Sequence, residues 1–191
     1  MKIFCDVDEV LADFVGAVCR LHGVDSDPVH RYRAKTSWDT GVPIGKQKYG
    51  REITQEEFWN PIHHHQKGEK RWWADIPPLP WCGILYRALK KMDAEMILVT
   101  SPSRSYASHL GKYLWVQRWL GHDPGRVFIT PHKHLLSAPG RLLIDDRPKN
   151  CQDWASEGGQ GYLFPSGPPV EVNDKIERII EEIALIVRLN S

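Results

Sequence analysis

Lys2-Ile3-Phe4-Cys5-Asp6-Val7-Asp8-Glu9-Val10 opens the chain almost at its first residue, an apolar run that stops at two acids one residue apart. Such a run suits a buried parallel strand, with Asp6 and Asp8 just past its carboxyl end. After it, Phe14, Val15, Val18 and Leu21 fall at helical spacing and Gly23 supplies a stop. From residue 80 onward the alternation of helix and strand resumes. Helices are expected over 80–92, with Ile84, Leu85, Ala88, Leu89 and Met92 on one face, and over 106–120, closed by Gly121. A short helix near 152–156 and a last one over 173–188 follow, with strands at 96–99, 127–129, 142–144 and 162–164 between them. This order predicts an α/β fold, a Rossmann-like parallel sheet with helices on both faces.

Residues 25–78 interrupt the alternation. They are rich in Gly, Pro, Trp and His and show little periodicity. One helix is signalled there by Thr54 with Glu57 three residues on, a capping box, with Pro61 expected to limit it. The stretch reads as a mainly helical cap inserted after the first strand. The expected division is a core of 1–14 and 79–191 and a cap of 15–78.

Bulk composition bounds the function. A chain of 191 residues, 41% hydrophobic, builds one core plus a modest insertion. Lys and Arg total 25 against 24 acids, a formal charge of +1. That balance gives no global field for a nucleic-acid polymer or an anionic membrane. Cys5, Cys19, Cys82 and Cys151 are scattered without metal-finger spacing and read as reduced thiols. The first strand starts too early for a charged and then apolar leader, and no apolar run is long enough for a bilayer. A soluble, cytoplasmic protein is expected.

Three apolar strands end in reactive groups: Asp6 and Asp8, then Thr100 and Ser101, then Asp145 and Asp146, while a loop supplies Lys133. Strands of such a sheet present functional groups at one edge. A lone acid after a strand is usually a helix cap, but converging carboxylates repel unless a cation joins them. Oxygen ligands without His or Cys favour magnesium (Mg2+) together with phosphate oxygens. Lys133 and the Thr100-Ser101 pair can answer the remaining phosphate charge, and one carboxylate can act as nucleophile.

Asp6-Val7-Asp8-Glu9-Val10, Val99-Thr100-Ser101, Lys133 and Leu143-Ile144-Asp145-Asp146 resemble, in order, the four motifs of haloacid-dehalogenase-like phosphatases. Longer strings, Val10 through Phe14, Thr100-Ser101-Pro102, Gly111-Lys112-Tyr113 through Gly121, and Leu142 through Asp146, resemble the 5'(3')-deoxyribonucleotidases. The resemblance implies a magnesium-dependent hydrolase of nucleoside monophosphates working through an aspartyl phosphate. Asp6 would be nucleophile and metal ligand. Asp8 would be acid and then base, its main-chain carbonyl also binding metal. Thr100, Ser101 and Lys133 would hold the phosphate. Asp146 is implied as the direct metal ligand with Asp145 behind it, an order that stays reversible. The family also suggests a homodimer.

The cap selects the substrate in such enzymes. Trp72-Trp73 followed by Asp75 resembles the aromatic pair that flanks the base, and Phe14 matches another pocket aromatic. Packing in the core is the competing reading for both tryptophans, and the favoured one for Trp115 and Trp119. Ser103 and Arg104 are further candidate base or sugar contacts. His63-His64-His65 reads as a polar loop, since adjacent side chains point in different directions. The family usually places Gly after its second Asp, where this chain has Glu9. An ordinary backbone conformation with the side chain turned away is expected there. The sharper alternative is a contact to the metal shell or the cap. A sugar phosphate as substrate, or a lapsed enzyme that only binds nucleotide, remains open at this stage.

Overall fold

The computed structural model describes residues 1–36 and 39–190. Among them, β1 (Lys2–Cys5), β2 (Glu95–Thr100), β3 (Val127–Ile129), β4 (Arg141–Asp145) and β5 (Gln160–Leu163) form one parallel sheet, ordered β3-β2-β1-β4-β5. Cys5 pairs with Leu98 on one side and with Ile144 on the other. The ends of β1, β2 and β4 therefore lie side by side. The winding reverses direction beside β1, and a crevice opens at the strand ends where it does so.

The pleat sends alternate residues to opposite faces. Ile3 and Cys5 join a large buried cluster with Leu85 and Leu89 of α6 (Cys82–Lys91) and Ile179, Ile183 and Val187 of α10 (Ile176–Leu189). Phe4 joins Ile97, Val99 and Leu143 in a smaller cluster under Trp154 of α8 (Pro148–Ser156), with the Phe4 and Trp154 rings 5.0 Å apart. Both faces are thus covered, as the alternation predicts.

The insertion leaves and returns at one point. Asp13 N donates to Pro77 O and Leu79 N to Leu11 O, both at 2.8 Å. Two buried indoles lock this base: Trp81 Nε1 donates to Val10 O at 2.8 Å and Trp115 Nε1 to Ile76 O at 2.7 Å. Beyond α1 (Phe14–His22), the cap carries α2 (Ser26–Lys35), α3 (Gly41–Tyr49), α4 (Gln55–His63) and α5 (Glu69–Ala74). α5 packs along α7 (Tyr106–Leu120) of the core. Gly111 makes that approach close, since a Cβ there would overlap Trp73 and lie 2.7 Å from Lys70 O.

Several expectations need correction. The capping box of Thr54 and Glu57 is present, but Pro61 does not stop α4. Buried Phe58 and Ile62 pin the helix on both sides of the proline, and it runs on to His63. The last helix, α10, starts at Ile176 rather than near 173, and a short helix that the sequence did not signal, α9 (Pro169–Asn173), precedes it across a turn at Asp174 and Lys175. Ile84 is 49% exposed rather than packed, and Trp119 is 41% exposed, with Arg118 over its ring. No helix among the described residues is long and apolar enough to cross a membrane.

Candidate active site

Val7, Val10 and Leu11 are fully buried beneath the turn after β1, which leaves Asp6 and Asp8 facing the crevice. Asp6 Oδ1 accepts from Val7 N at 2.7 Å and is 2.8 Å from Lys133 Nζ. Lys133 Nζ also donates to Asp145 Oδ2 at 2.6 Å. Asp145 is saturated: Arg147 N and Asn150 Nδ2 each reach its Oδ1 at 2.9 Å. Asp146 has a looser partner, Arg33 of α2, at 3.4 Å. One carboxylate oxygen from each of Asp6, Asp145 and Asp146 lies within 4.8 Å of the others.

The electrostatics follow from this crowding. Burial pushes Asp6 up to about 7, with Asp145 and Asp8 adding to the rise and Lys133 opposing it. Burial also lifts Asp146 well above the usual carboxylate range, against the pull of Arg33. Lys133 is raised as well: burial disfavours its charge, but the attraction of Asp6 and Asp145 outweighs that and holds the ammonium charged. Three buried acids that offer only carboxylate oxygens to one point are a donor set that fits a hard divalent cation such as magnesium.

Asp8 pairs with Lys112 of α7. Lys112 Nζ donates to Thr100 Oγ1 at 3.2 Å and lies 4.8 Å over the Trp73 ring. Sequence reasoning missed this residue. Its signal was present: Ser108, Gly111, Lys112 and Trp115 share the buried face of α7, where a lysine is rarely placed without a partner.

A cavity of about 490 Å³ lies between this floor and the cap. Asp6, Asp8, Ser101, Lys133, Asp145 and Asp146 line its base, and Phe14, Phe58, Trp59, Gln55 and Thr40 line its cap side. Ser101 is half-buried with its hydroxyl toward Thr130 O at 3.4 Å. Thr100 is fully buried and spends its hydroxyl on Lys112.

Among the predicted substrate contacts only Phe14 lines the cavity. Trp72 and Trp73 are buried in the core behind it, Trp73 stacking on Phe14 at 5.6 Å. Ser103 serves the start of α7, accepting from Ser105 N at 3.2 Å, and Arg104 is exposed. The aromatic wall is instead completed by Phe58 and Trp59, adjacent aromatics in the helix that the capping box signalled. Trp59 is held by its Nε1 donating to Gln55 Oε1 at 3.1 Å.

Glu9 departs from expectation most clearly. Its φ is 60°, the left-handed region, which costs a residue with a Cβ about 1–2 kcal/mol. Its side chain turns inward: Oε1 accepts from Val15 N at 2.7 Å, and Oε2 lies 3.8 Å from Arg33 and 3.5 Å from His30 Nδ1. Burial pushes Glu9 up to about 7 and His30 down to about 4. The contact to the cap is therefore real, and the outward-pointing reading is overturned.

A parallel sheet with an acidic floor at its switch point and an inserted helical cap has the haloacid-dehalogenase-like architecture. It is shared with a HAD family hydrolase from Deinococcus radiodurans, whose crystal structure holds phosphate and sodium. The TM-score is 0.53 at 14% identity, covering 91% of this chain and 86% of that one. Residues 1–178 match the family described as 5' nucleotidase, deoxy (pyrimidine), cytosolic type C, and the chain belongs to that family. A Bordetella bronchiseptica relative, provisionally named a 5'(3')-deoxyribonucleotidase, is 37% identical over 153 residues, 78% of this chain and 75% of its own. A Bordetella pertussis protein with the same provisional name is 38% identical over 76 residues, 39% of this chain, and the match spans only 40% of that relative.

Proposed function

We propose that this protein is a phosphomonoesterase of the 5'-nucleotidase type that hydrolyses nucleoside monophosphates, deoxyribonucleotides foremost, with Asp6 as nucleophile. The observation that carries this reading is the Asp6 carboxylate, fixed through Oδ1 by Val7 N and Lys133 at the base of an aromatic-walled cavity. Fixing Oδ1 sets the carboxylate plane and leaves Oδ2 to attack phosphorus. As the Asp6–phosphorus bond forms, the ester bond breaks and Asp8 gives its proton to the leaving alcohol oxygen. Asp8 then takes a proton from water, which attacks the aspartyl phosphate, freeing phosphate and restoring Asp6.

Magnesium, when bound by Asp6, the Asp8 carbonyl and Asp146, with Asp145 behind, would neutralise charge between the carboxylates and the phosphoryl oxygens. Lys133 and Ser101 hold the phosphoryl oxygens, and Lys112 orients Asp8. Phe14 and Trp59 flank the base, where stacking contributes roughly 1–3 kcal/mol, and Trp72 and Trp73 back that wall. Residues 15–78 act as the cap, hinged where Asp13 and Pro77 bond. Four free, buried cysteines support a reducing, cytoplasmic setting.

Phosphate release from a panel of nucleoside monophosphates and sugar phosphates, with and without magnesium, tests the reading. Magnesium-dependent release with a nucleotide preference is expected. Equal release from sugar phosphates would refute the nucleotide assignment, and no release from any compound would refute the enzyme.

A further inference from the structure

Glu9 keeps a backbone position that glycine would fill without strain, and strain held at a site calls for a functional reason. Its carboxylate does two things. Oε1 takes the Val15 amide at the start of α1, and Oε2 faces Arg33 of the cap helix α2. The other terminal nitrogen of Arg33 lies 3.4 Å from Asp146 Oδ2. Only 9% of the Arg33 side chain is exposed, and it lines the cavity beside Asp6, Ser101 and Lys133. A planar guanidinium is thus carried from the cap to the cavity floor and held there by two carboxylates from different turns. Guanidinium presents paired donors that match phosphate oxygens.

We propose that Arg33 binds the phosphoryl group of the substrate, and that Glu9 is the positioning residue that holds it in place. The phosphate site is then complete only when α2 packs on the nucleophile turn, which makes the cap a contributor to phosphate binding as well as to base selection. The inference rests on the phosphomonoesterase reading and adds a residue that none of its four motifs contains.

The test is a titration of the whole protein with inorganic phosphate at fixed magnesium, read by thermal shift, and in parallel with a nucleoside that lacks the phosphoryl group. Arg33→Ala should weaken phosphate binding on the order of 10–100-fold, as loss of a charged hydrogen bond does, and leave nucleoside binding unchanged. Arg33→Lys should recover part of the loss. Glu9→Gly, which suits the local φ, should fold normally and weaken phosphate several-fold. In an Arg33→Ala background Glu9→Gly should add nothing, because its effect runs through Arg33. Phosphate binding by Arg33→Ala equal to that of the unaltered protein would overturn the proposal, as would a Glu9→Gly effect that persists without Arg33. Failure of the unaltered protein both to bind phosphate and to release it from any monophosphate would instead bring down the phosphatase reading and this inference together.

Discussion

Lys112 on α7 donates to the carboxylate of Asp8 on the turn after β1, and with its remaining capacity to Thr100 at the end of β2. One buried cation thereby ties Asp8, the proposed proton-transfer acid, to the second strand of the site. Replacing it with Met keeps the apolar stem against Trp73 and removes the charge. Lys112→Met should lower kcat on the order of 10²-fold, the low end of what general acid–base catalysis supplies, with a melting temperature within a few degrees of the parent. Steady-state kinetics and a thermal melt check both halves, and an unchanged kcat would remove Lys112 from the mechanism.

Asp145 and Asp146 are neighbours with opposite structural accounts. Asp145 is bonded by Lys133, Arg147 N and Asn150, so Asp145→Asn should cost about 2 kcal/mol, less than a fully broken buried pair. In a domain of this size that is a fall of roughly 4–8 °C. Asp146 is raised well above its ordinary range by burial, with Asp145, Asp6 and Glu9 adding to the rise. Asp146→Asn should therefore melt no lower than the parent in EDTA, while losing the stabilisation that magnesium gives the parent. Melts of both variants with and without magnesium decide it, and the reverse pattern would exchange their roles.

Trp59 lines the cavity and Trp73 stands behind it. Trp59→Ala should raise KM for nucleoside monophosphates roughly 5–150-fold, the equivalent of one lost stacking contact, with little change in stability. Trp73→Ala should instead destabilise by about 3–5 kcal/mol, the usual cost of emptying a buried aromatic site. If Trp73→Ala raised KM at unchanged stability, the base would have to sit against Trp73.

Burial depresses His30 to about 4, below its ordinary value of 6.5. An unfolded chain then takes up the proton first, so His30 contributes stability above pH 6.5 that is lost as pH falls toward 4. Glu9, raised to about 7, acts in the opposite sense, regaining stability as pH falls from 7 toward 4.5, and masks part of the loss. Comparison with His30→Gln isolates it. Between pH 7 and 4.5 in EDTA, the parent should lose on the order of 2 kcal/mol more than the variant by urea unfolding. Parallel pH profiles for the two proteins would contradict the neutral, buried assignment.

The core was legible because its signals are local. Cys5-Asp6, Val99-Thr100 and Ile144-Asp145 each mark an apolar strand ending in a polar group; Asp6 and Asp145 reach the crevice directly, and β2 delivers Ser101 there, one residue past the buried Thr100. The cap was less legible for physical reasons. α2 buries only Val29 and His30, α3 carries Pro43 and Gly45 within its span, and α5 is six residues long, so none shows a helical period. Only α4 announces itself, through Thr54 and Glu57. The same limit hid the aromatic wall of the cavity: Trp72-Trp73 is the more conspicuous aromatic pair, yet only the fold reveals that Phe58 and Trp59 face the cavity. Glu9 was misread because nothing local signals that a glutamate will accept a left-handed backbone, a choice made by its contacts to Val15 and the cap.

The central claim is that Asp6 becomes covalently phosphorylated during turnover. Acid quenching of the enzyme mixed with a nucleoside monophosphate radiolabelled on its phosphate, followed by mapping of the protein-bound label, tests this directly. The account predicts transient label on the peptide that contains Asp6, and neither label nor turnover in Asp6→Asn. A parent enzyme that turns over without ever carrying label, or an Asp6→Asn variant at full rate, would contradict it.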